Sequence, residues 1–300
     1  MSNASYRAWG VALALIGVVS FAVRPILIKL AYAYVTDPIT LIALRMVFSL
    51  PFFIVAAFWV RRDTARAPLT RGDWWAVLVL GFLGYYLASF LDFLGLQYIS
   101  AGLGRLVLFL YPTITVLLSA IFLGKYVSRR DVVALVISYA GLSLVLAQGF
   151  GGENRNLLLG ALLVFGSALS YAIYLVKSSQ VVTRIGSIRF TAYATSVASL
   201  LCIVQFLLLR PLSALALPPQ VYGLAIAMAV GCTVLPVFVT SEALRRIGAN
   251  QVAIIGAAGP VTTIFFGWLG LEESMNLLQL AGAALVLAGV LLVTIKPNKQ

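Results

Sequence analysis

The sequence predicts an all-α integral membrane protein, ten transmembrane helices arranged as two inverted five-helix repeats. Three observations carry that expectation. Hydrophobic residues are 62% of the 300-residue chain and charged residues only 10%, too few charges to cover a soluble domain of this size. The apolar residues fall into runs long enough to cross a bilayer core. The chain also repeats itself. Ser20-Phe21-Ala22 returns as Ser170-Tyr171-Ala172, and the segment from Gly95 to Ala101 returns from Ala243 to Ala249. Pro112 answers to Pro260, and Ala140-Gly141 to Ala288-Gly289. The offset is 150 early in the unit and 148 later. Each copy holds about five spans by length. An odd number forces the second copy to enter the membrane upside down, and inverted repeats meet at a shared midplane site.

The spans are expected at 8–33, 38–60, 73–97, 101–123 and 130–149 in one copy (8–149), and at 157–180, 187–209, 219–241, 251–271 and 276–296 in the other (157–296). Arg7 before the first run imitates a signal peptide, but the run is too long and nine more follow, so the helix is retained. That helix carries Arg24, Pro25 and Lys29, and the second carries Arg45. On the third, Tyr85, Ser89 and Asp92 follow helical spacing. Tyr111 and Thr115 share a face of the fourth beside Pro112. The stretch Gly149–Asn154 reads as a turn-rich connection between halves. Ser167, Ser170, Tyr171, Tyr174 and Ser178 share a face of the sixth helix. Thr233, Pro236 and Thr240 share one on the eighth, and Gly256, Pro260 and Thr263 one on the ninth. The fifth and tenth spans hold few polar residues and read as scaffold or a dimer contact.

Polar stripes of this kind avoid lipid, and they either line a cavity or bridge helices. Prolines 25, 112, 236 and 260 free backbone carbonyls, and the matched pair Pro112 and Pro260 marks a candidate hinge in each half.

The formal charge of +12 would suggest nucleic acid in a soluble protein. Here the basic residues lie between apolar runs, so anionic lipid is the partner and nucleic acid is not. Fifteen Lys and Arg fall on the terminal side against Arg105, Arg155 and Arg210 on the other. The positive-inside rule then puts both termini in the cytoplasm of an inner (plasma) membrane. The absence of histidine removes the commonest general base and metal ligand. Cys202 and Cys232 sit in apolar runs and read as small buried hydrophobes. No metal site, cofactor or nucleotide-binding loop is expected, nor an enzyme, since no paired carboxylates lie inside the spans.

Arg24, Arg45 and Asp92 remain at similar depth, where an unpaired charge costs several kcal/mol. An Arg45–Asp92 ion pair is one expectation; Arg24 holding a substrate carboxylate is the other. Lys29 should snorkel. Glu242 and Arg246 share a helix face and should pair, whereas Glu272 and Glu273 should be solvated in an outer loop. Arg105 reads as an anchor at a membrane end.

The run from Leu96 to Ala101, followed by Tyr111-Pro112 and Leu123-Gly124, resembles the EamA repeat of the drug/metabolite transporter superfamily. The second copy resembles it through Leu244, Ala249, Gly259-Pro260 and Leu271-Glu272-Glu273. Arg45 sits where that repeat usually has an arginine. One departure is Lys125, which stands where the family often has Glu. The segment from Arg105 to Pro112 is similar to YddG-type exporters of aromatic and other neutral amino acids. The resemblance implies a ten-helix secondary transporter exporting small, amino acid-like metabolites by alternating access. Arg24 would hold the carboxylate, and Tyr85, Tyr111, Tyr171 and Tyr174 the side chain, in a cavity that also takes in Ser89, Thr115, Ser170, Thr233 and Thr263. A drug, sugar-nucleotide or lipid carrier, or a channel of the same build, is the alternative. Asp92 is the candidate proton carrier, and a monomer is admitted.

Overall fold

A computed structural model describes residues 3–61, 69–124, 126–146, 155–273 and 275–294, and every regular element among them is helical. The helices are α1 (Asn3–Tyr32), α2 (Pro38–Arg61), α3 (Arg71–Gly81), α4 (Ala88–Gly95), α5 (Ala101–Leu108), α6 (Tyr111–Leu123), α7 (Arg129–Leu146), α8 (Arg155–Ile185), α9 (Ser187–Leu209), α10 (Pro219–Ile226), α11 (Leu235–Gly256), α12 (Gly259–Leu271) and α13 (Leu277–Thr294). π-helical segments, Phe82–Leu87 and Ala227–Val234, join α3 to α4 and α10 to α11. Seven continuous stretches among the described residues are long and apolar enough to cross a membrane, with Gly259–Leu271 and Leu277–Leu292 as shorter apolar helices. Arg62, Arg66, Lys125, Lys296, Lys299 and the expected connection 149–154 lie outside the described residues.

Local chemistry explains several helix ends. Thr70 with Asp73, Ser128 with Asp131, and Asn276 with Gln279 each exchange backbone-to-side-chain bonds across three residues, with backbone N–H contacts of 2.7–3.2 Å. These reciprocal caps satisfy donors a helix start leaves open. Left-handed residues end α6 at Gly124 (φ 61°) and α12 at Glu272 (φ 54°).

Two expected spans are not single helices. The run 101–123 breaks at Phe109-Leu110, and the run 251–271 breaks at Ala257-Ala258. Pro112 and Pro260 occupy the second position of α6 and α12, where a missing N–H costs nothing. They restart helices rather than kink continuous ones. The expected eighth span also runs on, and only Gly248 (φ 78°) interrupts it before Gly256.

The halves pack reciprocally. A Cβ at Gly10 of α1 would lie 2.5 Å from Ile247, and one at Gly160 of α8 would lie 2.7 Å from Ile99. Residues 99 and 247 are repeat equivalents at the 148 offset. A Cβ at Gly141 would lie 2.6 Å from the Gly282 carbonyl, and one at its equivalent Gly289 would lie 2.6 Å from the Ala134 carbonyl. These contacts join α1 to α11, α8 to α4, and α7 to α13, while α2 packs on α9. The glycine faces of α7 and α13 therefore meet each other within one chain. At such spacing a side chain would part the backbones.

Candidate functional site

Four elements bring charge to the centre. Asp92 on α4 accepts from Arg24 Nη2 of α1 at 2.7 Å, and the two side chains are 3% and 15% exposed. The expected Arg45–Asp92 pair does not form. Arg45 on α2 is 1% exposed, lies 4.9 Å over the Phe93 ring, and has no hydrogen-bond partner at Nε or Nη2. A planar guanidinium stacks on an aromatic face more readily than a compact ammonium does. Arg105 corrects the sequence reading more sharply. It is no membrane-end anchor: its Nη2 would stand 3.1 Å from a Cβ at Gly259, and its Nε is buried without a partner. A side chain at Gly259, the first residue of α12, would crowd the guanidinium. Arg24 lies within electrostatic range of both other arginines.

An aromatic ladder leads from this cluster. Tyr111 packs edge-on to Tyr171 at 5.1 Å between ring centres, Tyr171 stacks on Tyr174 at 5.5 Å, and Tyr174 stacks on Phe190 at 6.0 Å. Tyr85, inside the π segment of the third span, places its hydroxyl 3.1 Å from that of Tyr174. π segments re-aim side chains, and this one turns Tyr85 onto the ladder.

The hydroxyls divide into those that bond across helices and those that bond within one. Ser170 donates to the Leu83 carbonyl at 2.8 Å and Ser167 to that of Ala88 at 2.6 Å, tying α8 to the π segment and α4. Thr263, fully buried, donates to the Ala22 carbonyl at 2.9 Å, tying α12 to α1 beside Arg24. Thr115 and Thr233 bond carbonyls of their own spans, Tyr111 at 2.6 Å and Met228 at 2.9 Å. Ser167, Ser170 and Thr263 thus tie one helix to another, whereas Thr115 and Thr233 bond within a single span. Ser89 is half-buried on α4. Pro25 is buried within α1, and Pro236 stands second in α11, directly after a π segment.

An ion pair and a carboxylate-to-backbone contact sit at the end of the bundle where α1 terminates. Asp37 caps α2 through Thr40 N at 3.1 Å and takes Arg210 Nε and Nη2 at 2.9 Å each. Burial pulls the Asp37 carboxyl upward, but hydrogen bonds from Arg210 and Thr40 outweigh it and hold it below its ordinary value. Glu273 is not simply solvated. Its carboxylate accepts from Ala101 N at 2.9 Å and Gly102 N at 3.3 Å, latching the loop after α12 onto the start of α5. A carboxylate there meets the positive end of a helix. Lys29 lies in electrostatic range of Glu273. Glu273 also lines a partly open pocket of about 200 Å³, with Ser100, Leu103, Ile264 and Gln279 among others. At the opposite end, Glu242 takes Arg246 at 2.6 Å as expected, and Arg245 at 2.7 Å as well.

Membrane-length helices in two reciprocally packed halves, with polar chemistry gathered where they meet, define a polytopic membrane protein of transporter type. The chain belongs to the EamA-like transporter family, which matches residues 8–147 and 158–295. It is 34% identical over 277 residues to the uncharacterized transporter YcbK of Bacillus subtilis (strain 168), covering 89% of this chain and 87% of that one. It is 27% identical over 217 residues to YyaM, another uncharacterized transporter of that organism, covering 71% of each. An uncharacterized transporter of Archaeoglobus fulgidus is 23% identical over 270 residues, covering 88% and 90%. A solved structure titled only "Crystal structure of protein" superposes with a TM-score of 0.65 at 19% identity, covering 96% and 98%, and so shares the fold.

Proposed function

We propose that the chain is a secondary transporter of the inner membrane that exports small carboxylated, amphipathic metabolites by alternating access. Amino acids, aromatic ones included, belong to that class, in line with the likeness to YddG-type exporters. Ten segments would cross the bilayer as inverted repeats, 8–149 and 157–296, with both termini cytoplasmic. The carrying observation is the central arginine cluster beside a tyrosine ladder: cations for a carboxylate, rings for an apolar body. Substrate would enter from the terminal side, because the Glu273 and Asp37 contacts brace the other end. Rocking about the breaks at 109–110 and 257–258, next to Pro112 and Pro260, would exchange access.

Asp92 is engaged by Arg24 at 2.7 Å, so proton coupling through Asp92 would have to release that pair. Uncoupled flux is the simpler reading, and insensitivity to an imposed pH gradient would support it. Purified protein in liposomes is expected to show saturable flux of labelled amino acids. Absence of saturable flux across the amino acid panel, with a drug or sugar nucleotide moving instead, would replace this substrate class.

A further inference from the structure

We propose that the central cluster selects cargo of net negative charge over zwitterions, with Arg45 and Arg105 as anion-recognising residues beside Arg24; the proposal rests on the carrier reading above. Charge balance is the first argument. Three guanidiniums share one carboxylate, Asp92. The other described acids are engaged elsewhere or exposed. Asp37 holds Arg210, Asp73 holds Thr70 and Arg184, and Asp131 caps at Ser128. Glu242 holds Arg245 and Arg246, Glu273 caps α5, and Glu272 is exposed at the end of α12. Among the described residues no free carboxylate is left at the centre for a substrate ammonium.

Geometry is the second argument. Arg45 is 1% exposed, and the two nitrogens without partners, Nε and Nη2, are neighbours on one edge of its guanidinium. Arg210 uses that same edge to hold Asp37, with both contacts at 2.9 Å. Arg45 therefore presents the fork that matches a carboxylate with two parallel bonds, and Phe93 packs on its ring face. Arg105 and Arg24 each add a buried Nε without a partner. Buried donors left open are costly, and an anion satisfies both their hydrogen bonds and their charge.

The test uses four compounds that share one phenyl ring. Phenylalanine is a zwitterion, hydrocinnamate carries one negative charge, phenylsuccinate carries two, and hydrocinnamide carries none. Each is titrated against the purified full chain in detergent, read by thermal stabilisation. Phenylsuccinate and hydrocinnamate are expected to bind at least about tenfold more tightly than phenylalanine or hydrocinnamide, the worth of one charge-assisted bond. Arg45→Gln should cost phenylsuccinate about tenfold more than it costs hydrocinnamate. If Arg45→Gln fails to fold, the wild-type series decides alone. Phenylalanine binding as tightly as hydrocinnamate, or an equal loss for both anions in Arg45→Gln, overturns the proposal and leaves the carrier reading standing. Binding by none of the four overturns the proposal, and the amino acid flux assay then decides the carrier reading separately.

Discussion

Asp92 shows how much hangs on a single side chain. It is 3% exposed and bonded to Arg24, so removing one partner strands a buried charge. Arg24→Gln or Asp92→Asn alone should therefore cost about 3–5 kcal/mol. The double variant should cost clearly less than the sum of the singles, because it leaves neither member of this bonded pair without the other. Thermal and denaturant unfolding in detergent checks this, and strict additivity would contradict the pairing. Asp37 makes a pH prediction. Its folded pKa is depressed, so its bond to Arg210 contributes stability above the ordinary Asp value of about 3.9 and loses it as pH falls through the lower folded value. Asn is also a good helix cap, so Asp37→Asn removes the charge and keeps the cap. Melting curves should differ between wild type and Asp37→Asn at pH 7 and converge in acid; a gap independent of pH would refute the assignment. The sequence made Arg24, Arg45 and Asp92 visible because charges stand out in apolar runs. It could not say which arginine takes the carboxylate, since helix rotation and packing decide that. Arg105 was misread, although one clue existed. Ser100 caps α5 by accepting from Leu103 N at 3.2 Å, and a helix that starts there carries residue 105 about 7 Å inward at about 1.5 Å per residue.

Helix ends and crossings carry the repeat more faithfully than overall composition does. The caps Ser128–Asp131 and Asn276–Gln279 are 148 residues apart, as are the left-handed ends Gly124 and Glu272. Glu272 occupies with a side chain a conformation that costs an L-residue about 1–2 kcal/mol. Glu272→Gly should thus stabilise the chain by about 1 kcal/mol; a destabilised variant in the same unfolding assay would count against that reading. At the α7–α13 crossing, Gly141→Val places a side chain where a carbonyl already sits at 2.6 Å. It should lower the melting temperature sharply, more than Gly223→Val, where a Cβ meets nothing within 4 Å. The sequence showed the paired prolines but gave the broken helices as continuous spans. An apolar run reads the same whether it is one helix or two, and only the turns at 109–110 and 257–258 distinguish them.

At the scale of the molecule, the two ends of the bundle differ although the halves match. Glu273 bonds the start of α5, and its repeat equivalent is Lys125, whose ammonium cannot accept from a backbone N–H. The latch therefore has no acidic counterpart at that position. Glu273→Ala should loosen the end that carries it. A cysteine at Leu103, which is 4% exposed and lines the same pocket as Glu273, should then react several-fold faster with a membrane-impermeant maleimide; the native Cys202 and Cys232 are buried. An unchanged rate would remove the latch from the gating scheme. The central claim is that two reciprocal halves carry a small carboxylate past the arginine cluster one molecule at a time. Counterflow in proteoliposomes tests it most directly, with unlabelled hydrocinnamate inside and a trace of labelled hydrocinnamate outside. The account predicts that label rises transiently above its equilibrium level, and that Arg24→Gln abolishes the overshoot. Label that only equilibrates, or never enters, would contradict it.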